Sequence, residues 1–371
     1  MLGPVYFDCR YIRVDHHDGI SRFSAGLFGA LSKLIPLTAI ISDDRQLTHL
    51  PKGTKSVKLN DPTHWSEPLA ALKLNRLGEG NRPPAIVYSP MQTIGATGRK
   101  FKLVLTLHDL IYYRHPAPPP SMPLAVRIGW RLFHLTYWPQ RWILNAADAV
   151  VTVSKTTADL MAKHRLTKRD ICVVYNAAGD LDNRYEHRAP THRPVADQPQ
   201  RLVYMGSFMD YKNVSTLVRG MAELPGYELH LLSRIAPARK GELVAEATSA
   251  GVAAEALVFH NGVSESRYHQ LLDSAVALVH ASHDEGFGIP VVESMARGIP
   301  VIISDIPIFH EIAGGVGHYF NPESPTEFAS AVKKLENQGV WLEKSRAGLE
   351  QAQLFSWDSS AVALLELLQS L

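Results

Sequence analysis

The chain reads AVALVHASHDEGFGIPVVESMA over residues 275–296. Its apolar beginning predicts a buried strand that ends at His280, and the apolar spacing of its last third predicts a helix. The loop between them carries Gly286 and Gly288, which let the backbone approach a ligand closely and direct N–H groups toward it. This strand, loop and helix therefore predict a binding site for a phosphate or a hydroxylated ring.

The same alternation of short apolar runs and helical segments extends through the rest of the chain. Strands that alternate with helices indicate βαβ units and a parallel sheet. Segments 214–224 and 264–273 have the helical spacing. Strands are predicted at 85–88, 103–107, 149–153 and 171–174 in the first half, and at 201–206, 228–232, 256–259, 275–280 and 300–303 in the second.

A polar stretch with several prolines divides the chain. Residues 181–200 have no apolar periodicity, which is typical of a linker. We therefore predict an N-terminal domain over 1–180 and a C-terminal domain over 201–355, with a last helix over 356–371. Each domain is expected to be a doubly wound α/β structure. Ligands of such sheets bind beyond the carboxyl ends of the strands, here in the cleft between the two domains.

The composition excludes several classes of protein. The chain has 371 residues, of which 46% are hydrophobic and 20% charged, so disorder and collagen-like sequence are excluded. A mean hydropathy of -0.07 argues against a transmembrane helix. Cys9 and Cys172 are too few and too far apart for a disulfide or zinc framework. With no signal peptide at the N-terminus, we expect a cytoplasmic protein.

Charge is distributed unevenly along the chain. The net charge of +2 is the sum of about +10 over residues 1–180 and about -8 over the remainder. Segment 123–145 combines arginines with aromatic residues, as in a helix that lies on an anionic membrane surface. The alternative is a pair of core helices whose arginines face water. Nucleic-acid binding is not expected, because the chain carries no nucleic-acid-binding motif.

Three residues of the second half have the chemistry to hold a sugar or a diphosphate. Glu285 and Glu293 would present two carboxylates, which are good acceptors for vicinal hydroxyls. Alternatively, Glu293 only favours the N-terminus of its helix through the dipole. Lys212 follows the Gly206 turn at the start of a helix, where a cation and free amides could hold a diphosphate. A solvated lysine is the alternative.

The first half offers two further candidate site residues and one motif that resembles a metal site. Gly19 lies in a loop that opens a helix, and His108 follows the strand over 103–107. A histidine at a strand end can equally be structural. The triplet Asp180-Leu181-Asp182 has the form of a metal site, but it falls in the polar linker and is interpreted as solvated.

The order of these motifs resembles that of the retaining GT-B glycosyltransferases of family 4, over nearly the whole chain. The paired glutamates are the most specific feature of the resemblance. The motifs that carry it are the loop Gly19-Ile20-Ser21-Arg22-Phe23, His108-Asp109 with Pro116, Val153-Ser154, Val174-Tyr175-Asn176, Gly206 to Lys212-Asn213, Glu285-Gly286-Phe287-Gly288-Ile289-Pro290 with Glu293, and Phe355-Ser356-Trp357.

The resemblance implies a role for each of these residues. Glu293 would accept hydrogen bonds from the ribose, Glu285 would contact the transferred hexose, and Lys212 would neutralise the diphosphate. His108 would lie against the sugar, and His108, Glu285 and Lys212 would form the catalytic set. The other residues expected to bind the donor are Gly19, Gly206, Ser207, Gly286, Phe287, Gly288 and Ile289. The last helix, 356–371, would return to the first domain.

Two positions depart from the family pattern. Many members carry an arginine after the glycine of the Gly206 turn, where this chain has Ser207. Members also often have a second glycine-rich turn where this chain reads Leu232-Ser233-Arg234-Ile235. The diphosphate therefore has one cation fewer at the first turn, which Arg22 or Arg234 could replace.

The resemblance implies a retaining, metal-independent hexosyltransferase. We expect no cofactor, GDP-mannose or a UDP-hexose as the donor, a glycan or lipid-linked acceptor, and contact with the inner face of the plasma membrane. A GT-B phosphorylase or a nucleotide-sugar hydrolase or epimerase is one alternative. A non-catalytic subunit that binds a sugar nucleotide is another, and the intact set of site residues argues against it.

Overall fold

The structure is a computed structural model that describes residues 2–14, 18–78, 83–118, 123–179 and 199–371. The chain folds as two compact units. The first unit comprises residues 1–177 and 355–371, and the second comprises residues 178–354. Residues 181–198 of the predicted linker, and the triplet Asp180-Leu181-Asp182, lie outside the described residues.

The first unit is built on a seven-stranded parallel sheet. Its strands lie in the order β3-β2-β1-β4-β5-β6-β7. Their bounds are β1 Val5–Asp8, β2 Leu37–Ile41, β3 Lys55–Lys58, β4 Ile86–Ser89, β5 Lys102–Leu107, β6 Ala149–Thr152 and β7 Ile171–Val173. The central strands β1, β4 and β6 are fully buried, as expected for a parallel sheet covered on both faces.

The helices of the first unit include the C-terminal one. That last helix packs on the first helix of the unit, and Phe23 meets Trp357 edge-on with ring centroids 6.1 Å apart. The helices are α1 Gly19–Leu31, α2 Ala70–Leu74, α3 Ile111–Arg114, α4 Leu124–His134, α5 Trp138–Asn145, α6 Lys155–Lys163 and the C-terminal α14 Trp357–Gln369.

The second unit contains a six-stranded parallel sheet in the order β10-β9-β8-β11-β12-β13. The order reverses at the pair β8 and β11, which is where ligands bind in open α/β sheets. The strands are β8 Gln200–Tyr204, β9 Tyr227–Leu231, β10 Leu257–Phe259, β11 Ala277–His280, β12 Val301–Ser304 and β13 His318–Phe320.

The helices of the second unit follow its strands in regular alternation. Two of them begin directly after the loops that carry the candidate residues, one after β8 and the other after β11. The helices are α7 Val214–Gly220, α8 Pro237–Ser249, α9 Glu265–Asp273, α10 Ile289–Ala296, α11 Pro307–Ala313, α12 Pro325–Lys334 and α13 Gln338–Ala352.

Candidate functional site

The glycine loop after β11 is shaped by Gly288. This residue caps α10 with a φ of 100°, a conformation that side-chain-bearing residues rarely adopt. A β-carbon there would also lie 3.0 Å from the ring of Phe309. Pro290 follows in the first turn of the helix, where its missing N–H costs no hydrogen bond. The loop therefore brings the backbone N–H groups of Gly288 and Ile289 to the start of α10.

Lys212 and Glu285 come together although they are 73 residues apart. Lys212 Nζ lies 2.5 Å from Glu285 Oε1, and the two side chains are only 13% and 9% exposed. Ser282 Oγ donates to the same carboxylate oxygen at 2.9 Å. Burial raises the pKa of Glu285, but the charge of Lys212 and these hydrogen bonds outweigh burial, so the net pKa is lowered. Glu285 is thus a carboxylate at neutral pH.

The backbone around Lys212 is anchored on both sides. Lys212 ends a short 3-10 turn, and Asn213 after it is left-handed with a φ of 49°. The Asn213 side chain donates to the carbonyl of Pro322 at 2.7 Å. The His283 N–H donates to the Tyr211 carbonyl at 2.8 Å and so joins the Lys212 loop to the glycine loop. The position of the cation is therefore fixed relative to Glu285.

The Gly206 turn rests on side chains beneath it. Tyr204 is fully buried at the end of β8, and its hydroxyl donates to the Ser207 carbonyl at 2.5 Å. A β-carbon on Gly206 would lie 2.8 Å from that hydroxyl oxygen, so only glycine fits. The Gly206 N–H donates to Ser233 Oγ at 3.2 Å. Ser233 thus supports the turn beside the position at which many family members have an arginine.

His280 lies beneath the same two loops. It is buried at the end of β11, with its ring centroid 5.0 Å from that of Tyr204. Burial lowers the pKa of His280 to about 4, which makes it neutral at physiological pH. In the sequence, His280 is recognisable only as the last residue of a predicted strand. The residue's lowered pKa and its place beside Glu285 become evident only from the fold.

Glu293 occupies a more enclosed position than Glu285. The residue is 2% exposed on α10, and its Oε2 accepts a hydrogen bond from the hydroxyl of Tyr268 at 2.9 Å. Tyr268 is fully buried on α9. A simple interaction of Glu293 with the helix dipole does not explain why a buried tyrosine hydroxyl is placed against it. Tyr268 was not identified from the sequence, because nothing near it forms a motif.

The two candidates of the first half lie in the first unit. Gly19 is the first residue of α1, whose cap Asp18 accepts from the Ser21 N–H at 2.8 Å. His108 Nε2 lies 2.7 Å from the carbonyl oxygen of Pro90, and its ring meets that of Phe23 of α1 edge-on. Burial lowers the pKa of His108, although the bond to Pro90 and nearby aspartates oppose it. The imidazole is therefore neutral at pH 7.

The hydrogen bond to Pro90 also fixes the tautomer of His108. A carbonyl oxygen can only accept, so Nε2 must carry the proton and Nδ1 the lone pair. His108 can therefore accept a hydrogen bond from a hydroxyl through Nδ1. This property could not be predicted from the sequence.

The replacement of the missing arginine at Ser207 stays a prediction. Arg234 packs over Gly262, where a β-carbon would lie 3.0 Å from the arginine Cγ. Arg22 lies in α1 of the first unit. Within the described ranges, no cluster of three or more His, Cys, Asp or Glu side chains could hold a metal ion.

The basic and aromatic segment 123–145 contributes to the core of the first unit through α5, whose Leu144 belongs to a buried apolar cluster. None of the α4 side chains that the structure describes is buried, and of α5 only Gln140 and Leu144 are. We call the outward-facing residues of this segment the α4–α5 surface. Its exposed members are Leu124, Val126, Ile128, Arg131, Leu132, Leu135, Trp138, Arg141 and Trp142, with Arg127 half-buried among them. No helix in the described part of the chain has the length and apolar character needed to cross a membrane.

Comparisons with known proteins agree with this geometry. The family model described as "Glycosyl transferases group 1" matches residues 189–353, and the model described as "Glycosyltransferase Family 4" matches residues 33–178. O-antigen chain mannosyltransferase RfbU of Salmonella typhimurium is 32% identical over 190 residues, which are 50% of each chain. O-antigen chain mannosyltransferase B of Escherichia coli is 25% identical over 268 residues, 70% of this chain and 68% of that one.

A solved structure of similar fold covers the whole chain. HepE of Anabaena, in complex with UDP and glucose, aligns with a TM-score of 0.69 at 16% identity and covers 100% of both chains. At this identity the similarity establishes the fold, which is the GT-B fold predicted from the motifs. The matched region spans about half the length of RfbU.

Proposed function

We propose that this chain, which belongs to glycosyltransferase family 4, transfers a hexose from a nucleoside diphosphate sugar to a glycan or lipid-linked acceptor. The observation that carries the proposal is the Lys212–Glu285 ion pair beside the Gly288 loop. A largely buried cation, a carboxylate and the backbone amides of the glycine loop lie together at the switch point of the second sheet. These groups match the two parts of the donor, an anionic diphosphate and a hydroxylated sugar.

Each candidate residue of the second unit then has a role in binding the donor. Lys212 neutralises the diphosphate, with the amides of Phe287, Gly288 and Ile289 around it. Glu285 accepts hydrogen bonds from the hexose, and Glu293 accepts them from the ribose. Gly206, Ser207 and Gly286 allow the backbone to approach the phosphates.

The chemistry requires stabilisation of the leaving group. As the bond between the anomeric carbon and the phosphate oxygen breaks, negative charge develops on the β-phosphate, and preorganised donors stabilise it. Lys212 and the loop amides supply these donors without a metal ion. The acceptor hydroxyl attacks the anomeric carbon from the face that the phosphate leaves and passes its proton to the departing phosphate oxygen, so the configuration is retained. Nδ1 of His108 accepts a hydrogen bond from a hydroxyl of the sugar. Gly19 lets the backbone of the first loop approach the phosphates.

Mannose is the proposed hexose and GDP-mannose the proposed donor. The support comes from the relatives named as mannosyltransferases of O-antigen chains. A UDP-hexose is the second candidate, since the HepE structure of the same fold holds UDP and glucose.

We also propose that the enzyme meets its lipid-linked acceptor on the inner face of the plasma membrane. The sequence contains no Asp or Glu between Asp109 and Asp148, whereas it contains four arginines in that interval. Exposed leucine and tryptophan side chains accompany them on the α4–α5 surface. Such a surface combines attraction to anionic lipids with apolar insertion, as lipid-linked acceptors would require.

A transfer assay tests the proposed activity. The protein is incubated with radiolabelled GDP-mannose or UDP-glucose and a bacterial lipid extract, and both lipid-bound label and free nucleotide are measured. We expect label in the lipid fraction, and none with the Glu285→Gln variant. Release of free sugar without transfer would favour a hydrolase, a need for inorganic phosphate would favour a phosphorylase, and donor binding without turnover would favour a non-catalytic subunit.

A further inference from the structure

The hydrogen bond between Tyr268 and Glu293 links two helices of the second unit. Tyr268 lies on α9, which precedes β11, and Glu293 lies on α10, which follows it. The tyrosine hydroxyl donates to Glu293 Oε2 at 2.9 Å. Both residues are buried, with 0% and 2% of their surfaces exposed. The contact is therefore shielded from water, which would otherwise compete for the carboxylate.

A buried carboxylate has a strong requirement for donors. A hydrogen bond to an ionised acceptor is shorter and stronger than one between neutral groups, and it restricts the rotation of the carboxylate plane. Because Tyr268 has a single rotatable hydroxyl on a ring packed in the core, its oxygen has one accessible position. One oxygen of Glu293 is thereby fixed in space, and with it the direction in which the whole carboxylate faces.

We infer that Tyr268 is a positioning residue that orients Glu293 toward the ribose of the donor. The inference rests on the proposed ribose contact of Glu293. Tyr268 itself touches no substrate in this scheme. It sets the carboxylate in the geometry that accepts the ribose hydroxyls, so that donor binding does not have to order the side chain.

The chain offers a matched control. Tyr227 also donates its hydroxyl to a glutamate of the second unit, Glu336 Oε1, at 3.2 Å. That bond joins β9 to the segment after α12 and involves none of the residues assigned to the donor. Tyr227→Phe and Tyr268→Phe each delete one hydroxyl from a partly or fully buried tyrosine–glutamate pair, so a general loss of stability affects both.

The experiment measures whether the ribose hydroxyls are still recognised. GDP and UDP are titrated calorimetrically into wild type, Tyr268→Phe, Tyr227→Phe and Glu293→Gln, together with the 2′,3′-dideoxy form, called the deoxy form below, of whichever diphosphate binds more tightly. We expect wild type to bind the ribose form roughly tenfold more tightly than the deoxy form. Tyr268→Phe should bind the ribose form roughly three- to tenfold more weakly, and the deoxy form as wild type does.

Turnover gives a second readout. Because orientation of Glu293 serves binding in ground state and transition state alike, Tyr268→Phe should raise the donor KM and leave kcat nearly unchanged. Tyr227→Phe should change neither constant. The double variant Tyr268→Phe/Glu293→Gln should bind the ribose form no more weakly than Glu293→Gln alone, because the tyrosine acts only through the glutamate.

The outcomes separate this inference from the proposed function. If Glu293→Gln loses discrimination between ribose and deoxyribose while Tyr268→Phe keeps it, Tyr268 is only a structural residue and the inference is wrong. Equal weakening of ribose and deoxy forms by Tyr268→Phe would also overturn it. If wild type itself does not discriminate between the two forms, the ribose contact of Glu293 fails, and the proposed role of that residue fails with it.

Discussion

Lys212 Nζ and Glu285 Oε1 lie 2.5 Å apart, so the cation assigned to the diphosphate and the carboxylate assigned to the hexose share one ion pair. The pair has two separable functions, because it both satisfies a buried carboxylate and fixes a cation beside the glycine loop. Removing the lysine affects stability and binding together, whereas removing both partners isolates binding.

Lys212→Ala should lower the free energy of unfolding by about 3 kcal/mol, since it leaves Glu285 buried without its counter-charge. The double variant Lys212→Ala/Glu285→Ala should recover most of that stability and none of the nucleotide affinity. Urea unfolding measures the first quantity and calorimetric titration with GDP or UDP the second. If the double variant regained wild-type affinity, Lys212 would serve only to neutralise Glu285.

The strand pattern of the second unit was largely predictable from sequence. All five strands expected there were confirmed, because parallel strands buried on both faces are continuous apolar runs. The short edge strand β13 and the first three strands of the chain were not predicted. β3 is a largely exposed edge strand of sequence KSVK, which carries no such run.

Only the site residues that belong to sequence motifs could be predicted. The glycines, Glu285 and Lys212 lie in recognisable loops, and Glu293 follows Glu285 in the next helix, so all of them could be found in the sequence. Tyr204, Tyr268 and His280 act from beneath the loops, and a single buried tyrosine or histidine in a sequence resembles any core residue. Tyr268 lies 25 residues from Glu293 in the chain, and Tyr204 is far from His280 in the sequence, so only the fold brings these partners together.

The neutral state of His108 predicts a pH dependence. Its folded pKa is below the unfolded value of 6.5, so the unfolded chain binds a proton first as pH falls, and folding stability decreases below about pH 6.5. The difference in unfolding free energy between wild type and His108→Gln should therefore shrink as pH falls through this range. Stability of both proteins is measured in urea at several pH values.

Catalytic activity should depend on the protonation state of the same imidazole, that of His108. A protonated imidazole has no lone pair on Nδ1, so it can no longer accept a hydroxyl of the sugar. We expect kcat/KM to be level from about pH 8 down to about pH 6.5 and to fall only below it, since burial keeps the imidazole neutral until then. A fall in kcat/KM that begins well above pH 6.5 would show that another group controls the reaction.

Metal ions should be unnecessary for transfer. Lys212 and the amides around Gly288 supply the positive field that a divalent ion would otherwise place on the diphosphate. Activity should therefore persist in excess EDTA. Complete loss of activity, restored by magnesium or manganese but not by calcium, would contradict the assignment of Lys212.

The α4–α5 surface should bind anionic membranes. The protein should sediment with anionic liposomes, not with neutral ones, and be largely released by about 0.5 M salt, where the screening length shrinks to a few ångströms. Arg127→Glu with Arg131→Glu should abolish sedimentation and leave nucleotide binding intact. Arg141 is kept, because its guanidinium donates to the carbonyls of His164 and Arg165.

A charge-matched control separates a specific surface from net charge. Lys52→Glu with Lys100→Glu makes the same charge change at exposed residues of the first unit outside the α4–α5 surface. These variants should sediment like wild type. If both double variants lost sedimentation equally, or if wild type bound neutral and anionic liposomes equally, the α4–α5 surface would not be a specific membrane-binding site. A soluble glycan acceptor would then be favoured.

Calorimetric titration of the wild-type protein with GDP-mannose and UDP-glucose measures whether the second unit binds a nucleotide sugar at all. One of the two should bind with a stoichiometry of one, in the presence of EDTA. Glu293→Ala should weaken that binding by about 1.5–3 kcal/mol, the worth of hydrogen bonds to a charged acceptor, without unfolding the protein. A folded wild-type protein that binds neither sugar nucleotide would overturn the proposed donor site, and a folded Glu293→Ala variant with unchanged affinity would remove Glu293 from it.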